Sequence, residues 1–581
     1  MAGSEAKDCL SYARGTSEVS LLGMCIGEVL DDTAKKYPEQ DCLIVRHGNQ
    51  RYSYRQFREQ VELAARGFLH LGVKQGDRVG IWSTNSAEWV ITQFATAKIG
   101  AILVNINPLN RAFELEYVLR QSECQTLLLA EGFRDIDYVS TLQQICGDGA
   151  LRQSGTMHAS SLADLKNLIF LGNSAVPGTI LWSDFVAAGE QVSLDCLGDR
   201  ESELDFDDPV NIQYTSGTTG FPKGATLSHY NIVNNGLLIA NAMRFTHNDR
   251  LCIPVPFYHC FGMVLANMAC VVSGATMVVP APSFDPELTL LAVQEERCTA
   301  LHGVPTMFIA ELEHPKFTQF DLRSLRTGIM AGAPCPVEIM KRVVGEMHCH
   351  ELTIVYGLTE ASPAITQTTP DDPIELRVTT VGKVLPHTEV KIIDPATGKT
   401  VPVGIAGELC TRGYHVMKGY YKNVEATKAA IEEDGWLHTG DLAVLDAGGY
   451  FKITGRAKDV IIHGGENIYP REVEEFLYTH PSIVAVQVVG VPDRKFGEAV
   501  AAWVKLKPGS TLTMDQLKSF CKGKIADFKI PRYLKITDDF PMTVTGKIQK
   551  FRMREISIEE FGLQESAMIG AARGLPTDAK A

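Results

Sequence analysis

Ten consecutive residues combine hydroxyl groups, glycines and one fixed positive charge. They are Thr215, Ser216, Gly217, Thr218, Thr219, Gly220, Phe221, Pro222, Lys223 and Gly224. Glycine has no Cβ, so Gly217 and Gly220 let backbone N–H groups converge on an anion, and the hydroxyl groups add further donors. Lys223 supplies a point charge for an outer phosphate. Residues 215–224, the phosphate loop, are therefore predicted to bind a nucleoside triphosphate.

The spacing of the phosphate loop differs from that of the mononucleotide-kinase loop. The kinase pattern has four residues between two glycines and then Lys-Ser/Thr, whereas Lys223 here follows a proline and precedes a glycine. Apolar residues at 210, 212 and 214 predict a strand entering the loop, and those at 232, 239 and 243 predict one face of a helix leaving it. A strand, a loop and a helix in this order present an anion site. The alternative is a Gly/Thr-rich surface turn.

Length and composition limit the class of protein. A chain of 581 residues is too long for one hydrophobic core and predicts three or four structural units. With 21% charged and 45% hydrophobic residues, the balance is that of a soluble globular enzyme or binding protein. The net charge of −14 argues against wholesale nucleic-acid binding. Residues 457–581 differ from the rest, with 18 basic against 16 acidic side chains.

Cysteine usage and targeting patterns bear on the compartment. The fourteen cysteines form no Cys-x-x-Cys pair, which is typical of buried thiols in a reducing compartment rather than of disulfides or a zinc site. His348-Cys349-His350 are neighbours that cannot easily fill a tetrahedral shell. Neither a secretory, a transit nor a peroxisomal signal is recognised. The apolar stretch 263–282 predicts a buried helix, a stop at Gly274 and a buried strand, so we expect a cytoplasmic protein without a transmembrane segment.

Alternation of helical and strand-like patterns predicts an α/β fold. The clearest examples are helices at 57–71 and 86–99 and strands at 78–82, 101–104 and 126–129. Such alternation indicates parallel sheets with helices on their faces, and a second α/β region continues to about residue 370. Short strands and Gly-rich turns from residue 382 predict a small β-rich subdomain. We therefore predict an N-terminal domain, 1–456, of two α/β subdomains and this β-rich subdomain, followed by a small α+β C-terminal domain, 457–581.

Four further strings follow the phosphate loop in order. They are Tyr356-Gly357-Leu358-Thr359-Glu360, Thr439-Gly440-Asp441-Leu442, Gly455-Arg456-Ala457-Lys458-Asp459 and Thr545-Gly546-Lys547-Ile548. Together with the loop they resemble the adenylate-forming superfamily of acyl- and aryl-CoA synthetases, adenylation domains and beetle luciferases. The resemblance covers about residues 28–555. Within it, residues 225–235 and 520–525 look closest to the medium-chain fatty acyl-CoA ligases.

The resemblance implies a reaction in two steps. A carboxylate attacks the α-phosphorus of ATP to give an acyl-adenylate and pyrophosphate, and the thiol of coenzyme A then takes the acyl group. ATP, Mg²⁺ and coenzyme A are the implied cofactors, and the implied partners are small-molecule substrates. In this superfamily the small C-terminal domain moves between the two steps. The sequence leaves the oligomeric state open.

Resemblance also assigns nucleotide-binding roles. Tyr356 would offer its ring to adenine, Thr359 its hydroxyl to the α-phosphate, and Glu360 a hard oxygen to Mg²⁺. Asp441 can accept hydrogen bonds from both ribose hydroxyls, and Arg456 is similar to the second ribose contact of the superfamily. The further nucleotide-binding candidates are Gly332 and Ala333, which match the backbone segment along the nucleotide, and Gly357.

Three positions are implied to act through the C-terminal domain. Lys547 is similar to the lysine whose ammonium stabilises the charge of the adenylation transition state, a role worth roughly 10²–10³ in rate. Lys458 lies where the superfamily places its hinge, and Gly464-Gly465 matches the segment that enters for thioester formation. Exposed lysines in loops are the structural alternative for Lys458 and Lys547.

The acid substrate is less strongly indicated. Amino-acid-activating relatives hold the substrate ammonium with an aspartate, but residues 256–262 contain no acidic group, and the apolar Phe261, Met263, Val264 and Met307 suit an aliphatic or aryl tail. His259 matches a position near the substrate carboxylate and could equally be a packed histidine. We expect a medium-chain fatty acid:CoA ligase. The alternatives are an aromatic-acid CoA ligase, an acyl-AMP ligase, a luciferase-like oxygenase and a silent nucleotide-binding protein.

Overall fold

The structure is a computed structural model that describes residues 9–147, 162–215, 222–333, 335–464, 466–543 and 548–564. Its strands, in chain order, are β1 (Tyr12–Arg14), β2 (Asp41–Val45), β3 (Gln50–Ser53), β4 (Arg78–Trp82), β5 (Ile102–Ile106), β6 (Cys124–Leu129), β7 (Gly132–Phe133), β8 (Ile136–Asp137), β9 (Asn167–Phe170), β10 (Ile180–Leu181), β11 (Pro209–Thr215), β12 (Lys223–Ser228), β13 (Arg250–Cys252), β14 (Thr276–Val279), β15 (Ala300–Gly303), β16 (Thr327–Ala331), β17 (Glu351–Gly357), β18 (Ala364–Gln367), β19 (Lys383–Val384), β20 (Thr388–Ile393), β21 (Gly407–Gly413), β22 (Gly419–Tyr420), β23 (Leu437–Leu445), β24 (Phe451–Arg456), β25 (Ile461–His463), β26 (Glu466–Ile468), β27 (Ile483–Asp493), β28 (Gly497–Leu506) and β29 (Tyr533–Ile536).

Helices occur throughout the same residues. In chain order they are α1 (Ile26–Lys36), α2 (Tyr54–His70), α3 (Ala87–Lys98), α4 (Ala112–Gln121), α5 (Tyr138–Cys146), α6 (Trp182–Ala188), α7 (Leu194–Ser202), α8 (His229–Ala242), α9 (Cys260–Gly262), α10 (Ala269–Ser273), α11 (Pro286–Glu295), α12 (Pro305–Leu312), α13 (Val337–Glu346), α14 (Ile374–Thr379), α15 (Val424–Ala430), α16 (Pro470–Tyr478), α17 (Met514–Cys521) and α18 (Lys550–Glu560).

Two large sheets form the α/β part of the chain. The first has the order β10-β9-β6-β4-β5-β11-β12-β22, and the second has the order β19-β18-β17-β16-β15-β13-β14-β2-β3. From β10 to β11 in the first, and from β17 to β2 in the second, neighbouring strands are parallel. All five residues of β5 are buried, as expected for a parallel strand with both faces covered. The predicted α/β class is confirmed.

One hydrophobic core joins the two sheets through helices α2, α3, α8 and α10. Its largest members include Phe57, Phe68, Trp89 and Phe94, which are fully buried. Helix α2 begins after Ser53, whose hydroxyl accepts the N–H of residue 56 in a reciprocal capping box. The cap fixes the start of a helix whose apolar face then enters this core.

The β-rich subdomain is a five-stranded antiparallel sheet with the order β1-β20-β21-β23-β24. Its register is interrupted in β23. Cys410 of β21 pairs with His438, but Glu408, two residues away, pairs with Leu442. Residues 439–441 of β23 therefore bulge from the ladder, and a bulge of this kind re-aims the side chains that it carries.

The C-terminal residues form a separate small sheet. Strands β26, β25, β28 and β27 lie in this order, with β29 parallel to β28. Helices α16, α17 and α18 belong to the same part of the chain, and α16 and α18 contact β27. This sheet has its own apolar clusters. Helix α16 contacts the β-rich subdomain, where Arg471 Nη1 donates to the carbonyl of Ile453 at 3.1 Å.

The surroundings of the phosphate loop differ from the prediction. Strand β11 leads into it as expected, but the chain returns as β12, antiparallel to β11, with Thr215 opposite Lys223. Helix α8 begins only at His229. The expected order of strand, loop and helix is therefore wrong, because backbone pairing of residues 223–228 with β11 makes the loop the connection of a hairpin.

The apolar stretch 263–282 is folded as expected. A helical segment ends at Ser273, Gly274 takes the left-handed conformation with φ of 78°, and β14 follows with four buried residues. Across the described ranges, 9–147 through 548–564, we find no helix that combines the length and the apolar character needed to cross a bilayer.

Candidate active site

Three predicted nucleotide-binding residues from three strands meet. Tyr356 is the last residue but one of β17, Asp441 lies in the bulge of β23, and Arg456 ends β24. The Tyr356 hydroxyl donates to Asp441 Oδ2 at 2.9 Å, and Arg456 Nε donates to Asp441 Oδ1 at 3.1 Å. Burial and the neighbouring carboxylate raise the pKa of Tyr356 well above its ordinary value. We call these three residues the Asp441 cluster, in which Tyr356 and Arg456 both donate hydrogen bonds to the Asp441 carboxylate.

Gly440 and Gly357 serve this arrangement through their backbones. Gly440, in the bulge, has φ of 70°, a region that disfavours residues with a Cβ. Gly357 ends β17, where a Cβ would lie 1.8 Å from the carbonyl oxygen of Pro363. Both positions therefore require glycine for conformation or space.

Glu360 lies beside the phosphate loop. Its Oε1 accepts hydrogen bonds from the hydroxyls of Thr215 at 3.2 Å and Tyr420 at 2.9 Å. Lys223 Nζ lies 5.2 Å from the centroid of the Tyr420 ring, within cation–π range. The Glu360 cluster, defined as Thr215, Glu360 and Tyr420, thus connects β11 and β22 to the turn that follows β17.

Sequence reasoning missed Tyr420. It lies on β22, which pairs with β12 at Ala225, and the carbonyl of Glu360 accepts the N–H of Met417 at 2.9 Å. Burial and Glu360 together raise the pKa of the Tyr420 hydroxyl well above its ordinary range, so it remains a donor at neutral pH. The only signal in the sequence is a short Gly-Tyr-Tyr string without periodicity, sixty residues from its partner.

Thr359 and His259 approach each other through Cys260. The thiol of Cys260 lies 3.6 Å from Thr359 Oγ1 and 3.7 Å from His259 Nδ1. The N–H of Phe261 donates to His259 Nδ1 at 3.1 Å, which places the proton of the neutral ring on Nε2. Thr359 is buried in the first turn after β17. The residues predicted to face the α-phosphate and the substrate carboxylate are therefore neighbours.

A small, mainly apolar cavity of about 30 Å³ is lined by Tyr258, the residue before His259. Its lining includes Pro256, Tyr258, Phe284 and Met307. Of the four apolar residues predicted near the acid, Met307 lines this cavity. Phe261, Met263 and Val264 are buried in the core that joins the two large sheets.

The remaining predicted positions lie around this centre or outside the described residues. Gly332, with φ of 84°, and Ala333 directly follow β16. The carbonyl of Pro222 accepts the Tyr117 hydroxyl at 3.1 Å. The positions outside the described residues are Ser216, Gly217, Thr218, Thr219, Gly220, Phe221, Gly465 and Lys547.

Two C-terminal positions are placed by the structure. Lys458 lies in the single 3₁₀ turn that follows β24. Gly464 connects β25 to β26 with φ of 62°, and its N–H donates to the carbonyl of Phe496 at 2.7 Å. A Cβ on Gly464 would approach the Phe496 ring to 3.2 Å. Met542 and Ile548, on either side of residues 543–547, are paired antiparallel.

Known proteins resemble this chain over almost its full length. The family described as "AMP-binding enzyme" matches residues 30–421, and "AMP-binding enzyme C-terminal domain" matches residues 472–547. The chain therefore belongs to the AMP-binding enzymes, which confirms the predicted superfamily and its arrangement of a large N-terminal and a small C-terminal domain.

Individual relatives carry more specific names. The putative acyl-CoA synthetase YngI of Bacillus subtilis (strain 168) is 52% identical over 94% of this chain and 99% of its own. The mitochondrial medium-chain acyl-CoA ligase ACSF2 of Mus musculus is 43% identical over 94% of this chain and 89% of its own. The crystal structure of the anthranilate CoA ligase AuaEII with anthranoyl-AMP has a TM-score of 0.83 at 26% identity, covering 94% of this chain and 99% of that one.

Proposed function

We propose that this protein is a medium-chain fatty acid:CoA ligase that forms an acyl-adenylate from ATP before thioester transfer. The broader class, an AMP-forming acyl-CoA ligase, is confirmed by relatives of that name at 43% and 52% identity. The choice of a medium-chain acid is supported by the name of the mouse relative and by the small cavity at Tyr258. Its lining consists of proline, aromatic and methionine side chains with the uncharged Thr84, Asn85 and Ser283, so it offers no cationic partner for a second carboxylate and no acidic partner for an amine.

The Asp441 cluster is proposed to bind the ribose of ATP. Oδ1 and Oδ2 of Asp441 each accept at least one hydrogen bond, and a carboxylate has lone pairs for further donors. The ribose hydroxyls would add charge-assisted hydrogen bonds, each worth about 1.5–3 kcal/mol. Arg456 and Tyr356 hold the carboxylate in place before the nucleotide arrives.

Glu360 is proposed to hold Mg²⁺. Its carboxylate and the Thr215 hydroxyl are hard oxygen ligands of the kind that Mg²⁺ prefers, and they lie 3.2 Å apart. Among the described residues, both recorded hydrogen bonds to this carboxylate fall on Oε1. When bound, the ion neutralises charge on the phosphates. Thr215 and Tyr420 orient the carboxylate for that task.

His259 and Thr359 are proposed to position the two reacting groups. With its proton on Nε2, His259 can donate to a carboxylate, and the Thr359 hydroxyl can donate to an oxygen of the α-phosphate. Their common contact with Cys260 keeps the two side chains close to each other. Gly332 and Ala333 would lie along the nucleotide. Proximity of acid and phosphate is the main contribution of this arrangement.

The C-terminal domain is proposed to alternate between the two steps. We propose a domain boundary between Arg456 and Ala457, with Lys458 as the hinge. One orientation brings Lys547 to the carboxylate and α-phosphate, and the other brings Gly464 and Gly465 to the path of coenzyme A. The support is the single 3₁₀ turn after β24, which connects two separately packed sheets.

A cytoplasmic location remains a proposal. It is supported by the free thiols of all fourteen cysteines, eleven of them buried, as expected in a reducing compartment. The mouse relative is named as mitochondrial. Fractionation of cells that express the tagged protein would decide between these compartments.

The substrate is tested by acid-dependent exchange of pyrophosphate into ATP. A panel of C4 to C16 fatty acids, benzoates and amino acids is offered first, and coenzyme A is then added to follow thioester formation. Exchange that peaks between C6 and C12, with turnover that depends on coenzyme A, supports the proposal. Exchange with aryl acids alone would instead assign the cavity to an aromatic acid.

A further inference from the structure

Three side chains of types that commonly bind metal ions lie together in the β-rich subdomain, outside the proposed active site. Glu408 and Cys410 are alternate residues of β21, so their side chains lie on one face of the sheet. His438 of β23 is the direct cross-strand partner of Cys410. We call these three residues the cysteine cluster.

The distances in the cysteine cluster match a tetrahedral ligand set. His438 Nδ1 lies 3.1 Å from Glu408 Oε2 and 3.5 Å from Cys410 Sγ, and all three atoms lie within 4.8 Å of one another. Bonds of about 2.0–2.1 Å from zinc to nitrogen or oxygen and about 2.3 Å to sulfur give ligand separations of about 3.3–3.6 Å in a tetrahedron. Two of the three edges, at 3.1 and 3.5 Å, are close to these values.

Groups behind the cluster orient its ligands as metal sites require. His438 Nε2 contacts Glu432 Oε1 at 2.8 Å, and the other oxygen of Glu432 accepts from Lys391 at 3.2 Å. If Nε2 donates to Glu432, Nδ1 presents its lone pair to the cluster. Glu408 is also held, because its Oε1 accepts the N–H of Gly440 at 3.1 Å. A histidine and a carboxylate ligand would both have partners that fix their orientation.

The pairing of His438 Nδ1 with Glu408 Oε2 requires a proton or a metal ion between the two atoms. Two acceptors face each other at 3.1 Å unless a ring proton or a metal ion lies between them. Cys410 is fully buried, but the side chains of His438 and Glu408 retain 30% and 15% of their exposure, which leaves a path from solvent. An ion can therefore reach the thiol past the imidazole.

We propose that Glu408, Cys410 and His438 bind one divalent transition-metal ion of the Zn²⁺ type, with solvent as the fourth ligand. A thiolate with an imidazole and a carboxylate favours Zn²⁺ or Co²⁺ over Mg²⁺ and Ca²⁺, which prefer oxygen alone. Binding forms the metal–sulfur bond and releases the thiol proton to solvent. The site is separate in ligands and in metal preference from Glu360.

The test titrates metal into the full-length protein after removal of metals with a chelator. With Co²⁺ as the probe, we expect one equivalent to produce a thiolate-to-cobalt charge-transfer band and the intense visible bands of tetrahedral cobalt. Zn²⁺ should displace it. Cys410→Ser should abolish the charge-transfer band, and His438→Gln should remove the tetrahedral bands. Glu432→Gln, which keeps all three ligands, should weaken Co²⁺ binding about 10- to 100-fold.

Matched controls separate this site from adventitious thiol binding. Cys196→Ser removes an exposed thiol of α7 and should leave the titration unchanged. Should the buried Cys410→Ser variant fail to fold, His438→Gln and Glu408→Gln change partly exposed residues and still test the site. Absence of a stoichiometric band in the wild type, or a band that survives in Cys410→Ser, would overturn the proposal.

Discussion

The hydroxyl of Tyr420 donates to Glu360 Oε1 at 2.9 Å, while the ring of the same tyrosine lies under the ammonium of Lys223. One side chain therefore contacts both the carboxylate proposed to hold Mg²⁺ and the lysine of the phosphate loop. Because β22 is paired with β12, the backbone holds Tyr420 beside the strand that begins with Lys223.

Tyr420→Phe removes the hydrogen bond and keeps the ring. A hydrogen bond to a charged group is worth about 1.5–3 kcal/mol, so we expect pyrophosphate exchange to fall by up to roughly 10- to 150-fold. Tyr421→Phe, one residue away, is the matched control. Exchange should be measured against Mg²⁺ concentration, and Mn²⁺ affinity by electron paramagnetic resonance. Unchanged ion affinity in Tyr420→Phe would contradict the positioning of Glu360.

Asp441→Asn keeps the shape of the side chain and removes its charge. It weakens the contact with Arg456 and the proposed contacts with ribose, so the KM for ATP should rise at least about tenfold, while the KM for the acid changes little. Steady-state kinetics with each substrate varied in turn measure this difference. Asp434→Asn, at an exposed turn, is the control. Equal rises in both constants would indicate a general structural defect instead.

Lys547→Ala should separate the two half-reactions. Loss of a fixed charge at the transition state is expected to cost roughly 10²–10³ in the rate of adenylation. Thioester formation from supplied acyl-adenylate should remain largely intact, as should both reactions of Lys507→Ala, an exposed lysine of the same domain. If both half-reactions fall equally, Lys547 does not have the proposed role.

Lys458→Pro restricts the backbone of the 3₁₀ turn after β24. We expect the coenzyme A step to slow far more than pyrophosphate exchange, because only domain alternation needs this backbone to change. Lys458→Ala removes the side chain but leaves the backbone free, and should be close to wild type. Single-turnover assays of each step measure the ratio, and equal retention of both steps in the proline variant would count against a hinge.

Acid should destabilise the protein through its buried histidines. His302 is fully buried and neutral, since Nε2 donates to the carbonyl of Leu265 and Nδ1 accepts the N–H of Ile329. Desolvation lowers its pKa to about 4, against about 6.5 in the unfolded chain. The unfolded state therefore binds the proton first. The contribution of His302, about 3 kcal/mol, is present above pH 6.5 and is lost as the pH falls to about 4.

His302→Gln tests this linkage. The variant is expected to be less stable at pH 7 but to lose less stability between pH 6.5 and 4 than the wild type. Burial also lowers the pKa of His229 to about 4, so part of the acid sensitivity should remain. Thermal unfolding across this pH range is the measurement, with His70→Gln on the exposed face of α2 as the control. Parallel pH profiles for His302→Gln and the wild type would disprove the assignment.

The sequence predicts best where burial alone decides the structure. Strand β4 was predicted with its observed bounds because a parallel strand covered on both faces is a continuous apolar run. Strand β12 was missed because residues 223–228 follow directly on the loop and alternate weakly. Residues 223–228 form a strand because they pair with β11, and their own sequence pattern does not indicate one.

Contacts across strands explain what else could not be predicted. The string containing Glu360 was recognised, but its hydrogen bond to Tyr420 depends on the placement of β22 beside β12. Cys410 and His438 are 28 residues apart and become neighbours only through the register of β21 and β23. Spacing rules for metal ligands cover local repeats, so they do not detect a pair of this kind.

Both edges of the eight-stranded sheet, β10 and β22, are only two residues long. An unpaired edge is a template for another chain, and very short edge strands leave too few backbone groups in a row to extend a ladder. Tyr420 therefore belongs to a strand that also blunts the sheet against intermolecular pairing. A longer β22 would expose more unpaired backbone groups and should promote aggregation, even if every residue near the nucleotide is unchanged.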